Sequence, residues 1–275
     1  MNGYFEIGGI KIDNMSYSGI LQKIEDSVIS STKTHIITVN PEIIVYAFKN
    51  NDFLHILKNA EIKTADGVGI IWASEYLSKP AKKGIMERFI QFIGSFKPVI
   101  LPSKRNKIKE RVTGSDLLPE IIKLSAEKNW RIFLLGATEG VAETVVKKFK
   151  ILYPNAIFAG SYAGSSDESH DNEICGIINK VKPDILFVAF GSPKQEFWIK
   201  RNLAKLDSVK VAAGVGGAFD FHSGKIKRAP MWMRKAGLEW LWRLILQPSR
   251  IKRIWNATFV FMKLVIKEKR EKTAQ

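Results

Sequence analysis

Residues Asp184-Ile-Leu-Phe-Val-Ala-Phe-Gly191 place six apolar side chains in a row, and Pro193-Lys-Gln-Glu-Phe-Trp198 follows almost directly. A short apolar run bounded by Asp and Gly is typical of a buried strand, and a proline at the start of the next segment favours a helix. Strand, turn and helix in this order make up the first half of a βαβ unit. This stretch therefore predicts a strand that belongs to a parallel sheet.

The same alternation recurs along the chain. Further strands are predicted at His35–Asn40, at Ile62–Asp66, at Arg131–Gly136 and in the run that begins at Lys210. Helices are predicted from Pro41 to Asn50, from Ile70 to Tyr76 and from Gly140 to Phe149. Because strands alternate with helical segments, the sequence predicts an α/β fold with a sheet flanked by helices.

Positive charge is concentrated at the C-terminal end. The 275 residues carry a formal net charge of +16, and residues 225–275 hold 14 Lys and Arg against 3 Glu. Such a surplus favours a polyanionic partner such as a nucleic acid, an anionic lipid or a phosphorylated substrate. The shift in composition predicts an α/β catalytic domain over residues 1–224 and a basic helical appendage over residues 225–275.

The sequence also disfavours several classes of protein. The first residues lack the pattern of a signal peptide, and no run of about 18 apolar residues could span a bilayer. The single Cys175 cannot pair within the chain, which fits a reducing compartment. We therefore expect a cytoplasmic protein, either soluble or peripheral on a membrane.

Polar residues follow the predicted strands. In open α/β sheets, ligands bind outside the carboxyl ends of the strands. The residues at those ends are Thr38 and Asn40, Asp66, the turn Gly191-Ser-Pro-Lys-Gln195 and the turn Gly214-Val-Gly-Gly-Ala-Phe-Asp220. Gly-rich turns that open helices offer backbone N–H groups to phosphate oxygens, so these ends predict a site for a phosphorylated ligand.

The residue types at these ends do not predict a metal site. The four histidines show no metal-ligand spacing, and no Asp-x-Asp pair follows a strand to hold a divalent ion on a diphosphate. The charge of a leaving diphosphate would then be met by arginines and helix N-termini. The candidate arginines are Arg111, Arg228, Arg234, Arg243, Arg250 and Arg253. The sequence thus predicts chemistry that needs no metal and no other cofactor.

A string of short motifs resembles one family. In order, the motifs are Asp66-Gly-Val-Gly, Glu110-Arg-Val-Thr-Gly-Ser-Asp116, Pro183-Asp-Ile-Leu, Gly191-Ser-Pro-Lys-Gln-Glu-Phe-Trp198, Gly214-Val-Gly-Gly-Ala-Phe-Asp220, Arg228-Ala-Pro, Gly237-Leu-Glu-Trp-Leu-Trp-Arg243 and Pro248-Ser-Arg250. Together they resemble the WecG/TagA/CpsF family of bacterial glycosyltransferases, and the likeness runs from about residue 5 to residue 255.

The resemblance implies an activity and its partners. Members of this family transfer a sugar, often N-acetylmannosamine or its uronic acid, from a UDP donor with inversion. The implied acceptor is an undecaprenyl-diphosphate-linked sugar at the inner face of the bacterial membrane, within cell-surface polysaccharide or teichoic acid synthesis. The implied fold is a Rossmann-like domain with a C-terminal appendage that closes over the site and holds the enzyme on the membrane. A homo-oligomer is compatible with the sequence.

The resemblance also implies roles for single positions. It makes Asp66 the general base. The expected substrate-binding residues are Thr38 and Asn40 beside the base, Arg111 and Gln195 at the donor or acceptor, Asp220 near the uracil, and Arg243, Arg250 and Arg253 at the diphosphate.

Residues 80–110 depart from the family pattern as an insertion of about 27 residues. On a helix, the apolar side chains Ile85, Met86, Phe89, Ile90, Phe92, Ile93 and Phe96 would fall within one arc. Basic residues flank this arc at Lys82, Lys83, Lys104, Arg105, Lys107 and Lys109. Two interpretations stay open: a helix packed on the core or on a partner subunit, and an anchor in an anionic membrane interface.

The C-terminal segment has two interpretations of its own. Ile254, Trp255, Phe259, Met262, Val265 and Ile266 would share one helical face, opposite lysines and an arginine. That pattern is typical of a helix in an anionic membrane interface, and equally of basic helices packed on the core by their tryptophans. Nucleic-acid binding through the same basic tail is the alternative function, but no motif for it is present, so no nucleic acid partner is expected.

Overall fold

We analysed a computed structural model, which describes residues 3–101, 108 and 110–274. The strands in these ranges are β1 (Tyr4–Ile7), β2 (Ile10–Asp13), β3 (Thr34–Val39), β4 (Ile62–Ala65), β5 (Arg131–Gly136), β6 (Ile157–Tyr162), β7 (Ile185–Ala189) and β8 (Val211–Gly214).

The helices of the α/β region precede Gly224. They are α1 (Tyr17–Ile29), α2 (Pro41–Ala47), α3 (Asn51–Asn59), α4 (Val68–Leu77), α5 (Ile85–Gly94), α6 (Lys97–Ile100), α7 (Gly114–Lys128), α8 (Val141–Leu152), α9 (Asp171–Val181), α10 (Lys194–Asn202) and α11 (Ala218–Ser223). The helices that follow are α12 (Met231–Lys235), α13 (Glu239–Leu246), α14 (Ile251–Trp255) and α15 (Phe261–Ala274), with a π-helical turn at Asn256–Val260 between the last two.

Six strands of the described residues form one parallel sheet in the order β4-β3-β8-β7-β5-β6. Strands β1 and β2 form a separate antiparallel hairpin. Because neighbouring strands of the large sheet are all parallel, their carboxyl ends lie at the same edge. The predicted α/β fold, a Rossmann-like sheet flanked by helices and followed by a helical C-terminal segment, is confirmed.

Helices cover both faces of this sheet. Side chains alternate along each strand, so Phe187 of β7 packs in one hydrophobic cluster and Leu186 in another. Helices α1, α7, α8 and α11 cover the first face, and α2, α3, α4, α9, α10 and α15 contribute to the second. Helix α4 is almost wholly buried, which fixes the turn that precedes it against the edge of the sheet.

Two differences from the prediction concern helix and strand boundaries. The helix expected from Pro41 to Asn50 ends at Ala47, because Asn50 caps a new helix by accepting a hydrogen bond from the Phe53 N–H at 2.8 Å. Strand β6 was not predicted from the sequence. Its residues are half-buried at the edge of the sheet, and Gly160 interrupts its apolar pattern.

The apolar face expected along the C-terminal helices is divided between two environments. Trp255 and Phe259 are exposed, whereas Val265 is buried and Ile266 packs against the core beside β3. The π-helical turn at Asn256–Val260 adds a residue between the two halves and rotates one relative to the other. The prediction of one continuous face is therefore wrong, and the second half of the segment belongs to the core.

The apolar residues predicted to share one face of α5 also lie in two environments, some packed on the core and others exposed. Phe92 and Phe96 pack on Trp72 of α4, with ring centroids 5.9 and 5.6 Å away. The side chains that remain exposed are Ile85, Met86, Phe89, Ile90 and Ile93. Phe92 lies at the margin of the wide apolar arc, and Phe96 follows the end of the helix, so these two can turn inward. The prediction that all seven residues share one face is wrong for this pair.

The predicted basic residues Lys104, Arg105, Lys107 and Lys109 lie outside the described residues. Within the described ranges, no helix combines the length and the apolar character needed to cross a bilayer.

Candidate active site

Asp66 lies at the carboxyl edge of the sheet, directly after β4. Its backbone N–H donates to the Val39 carbonyl at 2.8 Å, which joins the turn to the end of β3. Gly67 has a φ of 91°, a conformation that favours glycine, and Val68 then begins α4. The carboxylate is thus held on a short turn between a buried strand and a buried helix.

The environment of Asp66 changes its acidity. Burial raises the pKa of Asp66 to about 7, and the negative charges of Glu239 and Asp116 add to this effect. The positive charges of Arg111 and Arg243 oppose the rise in pKa. A carboxyl group with a pKa near the working pH can accept a proton in one step and release it afterwards, which is what a general base requires.

Thr38 and Asn40 lie beside Asp66, because β3 and β4 are neighbours in register. Thr38 is buried, and Gly114 at the start of α7 approaches it so closely that an added Cβ would lie 3.4 Å from the Thr38 Oγ1. Asn40 caps α2, since its Oδ1 accepts a hydrogen bond from the Ile43 N–H at 3.0 Å. The structure therefore places both predicted residues beside Asp66.

Arg111 reaches the site through the segment before α7. The N–H of the next residue, Val112, donates to the Ala65 carbonyl at 3.0 Å, so this segment runs along the end of β4. The Arg111 Nη2 lies 3.4 Å from the Arg234 carbonyl oxygen in the C-terminal segment. Arg111 is thus adjacent to Asp66 and bridges toward the basic segment.

Gln195 is buried and bound to protein groups. Its Oε1 accepts hydrogen bonds from the N–H groups of Gly191 and Gly216, at 3.2 and 3.0 Å. Its Nε2 donates to Glu196 Oε1 at 2.9 Å. The side chain thereby fixes the turn after β7 to the turn after β8, and this cross-strand role was not visible in the sequence.

Arg243 comes from α13 and stacks its guanidinium on the ring of Phe221, 4.6 Å from the centroid. Burial lowers the pKa of Arg243, partly offset by Glu239, Asp66 and Asp220. In the described part of the chain, the buried Nε and Nη2 atoms of Arg243 have no hydrogen-bond partner. Two guanidinium nitrogens are therefore available for an anionic ligand.

The other two predicted arginines of the C-terminal segment differ from each other. Burial, with the charges of Arg243 and Arg253, lowers the pKa of Arg250 to about 10, and Asp220 opposes this. Arg253 forms a bidentate ion pair with Glu42 of α2, at 2.6 and 2.9 Å. Arg250 thus belongs to a cluster of like charges, whereas Arg253 already has a carboxylate partner.

Arg228 takes part in two ion pairs that the sequence did not indicate. It was a candidate for the diphosphate, yet its guanidinium forms ion pairs with Asp116 of α7 at 2.7 Å and Glu239 of α13 at 3.3 Å. Asp116 and Glu239 are the same carboxylates that raise the pKa of Asp66. The motifs contain all three residues, but the pair of Arg228 with Asp116 joins positions more than 100 residues apart in the sequence.

The described residues contain no group of three or more His, Cys, Asp or Glu side chains placed to hold a metal ion. The positive charge at the carboxyl edge of the sheet comes from Arg111, Arg243 and Arg250. The carboxylate of Asp66 lies among these charges, since Arg111 and Arg243 both act on its pKa. The arrangement can bind an anionic leaving group and remove a proton from a nucleophile nearby.

Comparison with known proteins gives a family match over almost the whole chain. The profile of the family described as "Glycosyl transferase WecG/TagA/CpsF family" matches residues 5–91 and 97–275. Within the 80–110 segment, the profile leaves out only residues 92–96, around the end of α5, and matches the rest.

Individual relatives share about a third of their residues with the chain. A Bacillus subtilis (strain 168) protein is 33% identical over 238 residues, which cover 86% of this chain and 81% of the relative. Two Staphylococcus aureus proteins, from strains MRSA252 and NCTC 8325, are 31% and 30% identical over 268 residues, covering 97% of this chain and 93% of each relative. All three carry the name N-acetylglucosaminyldiphosphoundecaprenol N-acetyl-beta-D-mannosaminyltransferase.

Proposed function

The chain belongs to the WecG/TagA/CpsF family of glycosyltransferases, and we propose that it transfers N-acetylmannosamine or a related hexose from a UDP donor, with inversion. The proposed acceptor is an undecaprenyl-diphosphate-linked N-acetylglucosamine of cell-surface polysaccharide or teichoic acid synthesis. The names of the relatives support both the sugar and the lipid-linked acceptor. The observation that carries the proposal is the carboxyl group of Asp66, whose pKa burial raises to about 7, within electrostatic reach of Arg243, two of whose guanidinium nitrogens have no hydrogen-bond partner in the described residues.

In the proposed reaction, an acceptor hydroxyl attacks the anomeric carbon of the donor sugar. A bond forms from the acceptor oxygen to that carbon while the bond from the carbon to the diphosphate breaks. Asp66 takes the hydroxyl proton, and the bonding electron pair leaves with UDP. A positioned base of this kind contributes roughly 10²–10⁴ in rate. Attack opposite the leaving group inverts the anomeric configuration.

The leaving UDP gains negative charge as its bond to the sugar breaks. Arg243 offers two unpaired nitrogens, and Arg250 lies within the same cluster of positive charge. Guanidinium groups that meet charge as it develops lower the barrier, because they act in a buried site where electrostatic attraction is strong. We propose that these arginines, with Arg111 and Arg253, take the place of a divalent ion, so that catalysis needs no metal.

The remaining predicted residues shape the pocket in this proposal. Thr38 and Asn40 contact the reacting sugars beside Asp66. Gln195 holds the turns at Gly191 and Gly216 in place, so that their backbone lines the donor site. Asp220, whose charge acts on Arg243 and Arg250, lies at the nucleotide end.

The acceptor also determines where the enzyme works. An undecaprenyl chain stays in the bilayer, so we propose that the protein is peripheral on the inner face of the cell membrane. The exposed aromatic residues Trp232, Trp255 and Phe259 in the basic C-terminal segment support this proposal. Trp and Phe beside Lys and Arg are typical of surfaces that bind an anionic interface.

The test is a turnover screen of nucleotide sugars with a short-chain lipid-diphosphate N-acetylglucosamine acceptor. We expect turnover with UDP-N-acetylmannosamine or a related UDP-hexose, and a β-linked product by NMR from an α-linked donor. A product with the donor's own anomeric configuration would contradict inversion. Turnover only with a donor other than a UDP sugar would refute the assigned nucleotide.

A further inference from the structure

Helix α5 presents an apolar surface that no described part of the chain covers. Its five outward residues, Ile85, Met86, Phe89, Ile90 and Ile93, are between 54% and 86% exposed. None of the ten residues of α5 is buried. Exposed apolar side chains scattered singly are ordinary, but five on one short helix mark an interaction surface.

The opposite side of this segment is anchored firmly. Phe92 and Phe96 pack against Trp72, and Phe92 also meets Tyr76 edge-on at 6.1 Å. The Trp72 Nε1 donates to the Ser95 Oγ at 2.7 Å. Because these contacts lie on buried helix α4, the outward face cannot turn inward without breaking them. The apolar residues of α5 are therefore held toward the outside.

The charges around this face distinguish between two kinds of partner, a second copy of the chain and an anionic lipid surface. Residues 79–97 carry Lys79, Lys82, Lys83, Arg88 and Lys97 against the single acidic residue Glu87, and all five basic side chains are exposed. In a symmetric contact between two copies, each copy would bring the same positive charges to the other. An anionic lipid surface instead complements that charge and accepts the apolar side chains between its headgroups.

The position of α5 fits the same partner. Trp72, which holds α5, also contacts Phe261 of the C-terminal segment, with centroids 6.4 Å apart. The exposed Trp255, at the end of α14, and Phe259, in the π-helical turn before Phe261, have ring centroids 4.4 Å apart. Both apolar surfaces therefore flank α4, the helix that begins two residues after Asp66.

From these observations we propose that the outward face of α5 docks on the surface of an anionic bilayer, as a second anchor beside the C-terminal segment. The helix would lie flat in the interface, with its five apolar side chains among the acyl chains and its lysines at the headgroups. This inference rests on the proposed function only in placing a lipid-linked acceptor at the same surface. The docking itself can be measured without any sugar transfer.

The test uses the full chain and the double variant Ile85→Ser/Phe89→Ser, because both residues are exposed and neither packs on Trp72. The matched control is Ile151→Ser/Leu152→Ser, which removes two equally exposed apolar residues at the end of α8. Binding is measured by co-sedimentation with vesicles of equal parts phosphatidylglycerol and phosphatidylcholine, at low and high salt. Light scattering without lipid gives the oligomeric state of each variant, and turnover with a short-chain acceptor monitors folding.

We expect the α5 variant to lose vesicle affinity by roughly ten- to a hundredfold, since each inserted apolar side chain contributes about tenfold. The control should bind as the unchanged protein does, and high salt should weaken the binding of both. Turnover with the short-chain acceptor should stay the same in all three proteins.

Unchanged vesicle binding of the α5 variant would overturn the proposal. A dimer that becomes a monomer in the α5 variant, with vesicle binding unchanged, would also overturn it and identify the face as a contact between copies. Absence of sugar transfer by the unchanged protein would instead count against the proposed function. The vesicle measurement would still decide the docking.

Discussion

Asp66 and Arg243 lie in the same site, but the backbone holds the first and side-chain contacts hold the second. Asp66 follows a fully buried strand, and its own N–H is bonded to the neighbouring strand. Arg243 lies on α13, which has no buried residue and is tied to the α/β region by the ion pairs of Arg228 and by stacking on Phe221. Asp66 is thus fixed by the sheet, while the position of Arg243 depends on side-chain contacts between distant segments.

The largest expected effect concerns Asp66, which the backbone holds in place. Asp66→Asn should lower kcat by roughly 10²–10⁴, because the amide cannot accept the proton, while UDP affinity stays within a few-fold. In the unchanged enzyme, kcat/KM should rise with pH up to about 7 and then level off, as the raised pKa of Asp66 requires. The control is Asp184→Asn, at the opposite end of the sheet, where the carboxylate accepts a hydrogen bond from the Arg131 N–H. A kcat above about a tenth of the original would exclude Asp66 as the base.

A somewhat smaller effect is expected for Arg243, which side-chain contacts hold in place. Arg243→Ala should lower kcat by about 10²–10³, the usual loss when one donor to a developing charge is removed. Activity of the unchanged enzyme should persist in excess EDTA, since the arginines supply the positive charge. Arg270→Ala, an exposed arginine on α15, is the control and should be neutral. Activity that disappears in EDTA and returns with Mg²⁺ or Mn²⁺ would show that a metal ion is needed.

Arg228 links α7 of the α/β region to α13, the helix that carries Arg243. Its loss should lower activity less than the loss of Asp66 or Arg243. Arg228→Gln should lower kcat/KM by about tenfold, because a charge-assisted contact of about 1.5–3 kcal/mol no longer holds α13. It should also move the acid limb of the pH profile upward, since Asp116 and Glu239 would raise the pKa of Asp66 without an opposing charge. Glu239→Gln should move that limb downward.

The control for Arg228→Gln is Arg201→Gln, which breaks a similar ion pair with Asp171 away from the site. Arg201→Gln should lower stability without moving the pH profile. If both arginine variants shift the profile equally, Arg228 has no particular connection to the base.

The smallest effect is on stability and tests how Asp66 is buried. The pKa of Asp66 is about 7 in the folded state and about 3.9 in an unfolded chain, so the folded protein binds more protons between these values. Stability therefore falls as pH rises through this window, and Asp66→Asn should avoid the loss. We expect the variant to melt about 3–6 °C higher at pH 8 and at the same temperature at pH 4. Equal melting temperatures at both pH values would show that Asp66 is not desolvated.

The structure also changes one expectation about the C-terminal segment. Its composition predicts a basic helical appendage that is separate from the α/β domain of residues 1–224. Phe261 and Val265 are instead buried in the same cluster as Ile37 and Val39 of β3. Removing residues 225–275 would uncover this cluster, so point variants at Arg243 and Arg228 test the site more cleanly than truncation.

The sequence by itself determined the parallel α/β architecture, because each strand and helix is recorded in a local apolar pattern. It also placed Asp66, Thr38 and Asn40 at one edge of the sheet, since the carboxyl ends of parallel strands lie together, while their position side by side was implied by the family resemblance. Charge composition alone located the basic segment after Gly224. All of these inferences depend on residues that are close in sequence or on a general rule of sheet geometry.

Tertiary structure alone decided which partners the remaining side chains meet. Arg228 and Arg253 lie in equally basic stretches, yet each is paired with a distant carboxylate, while Arg243 keeps two nitrogens unpaired in the described part of the chain. The apolar residues Val265 and Phe89 are equally expected to be on helix faces, yet one is buried and the other exposed. A local pattern shows that a side chain is apolar or charged, but what lies opposite it depends on how distant segments pack.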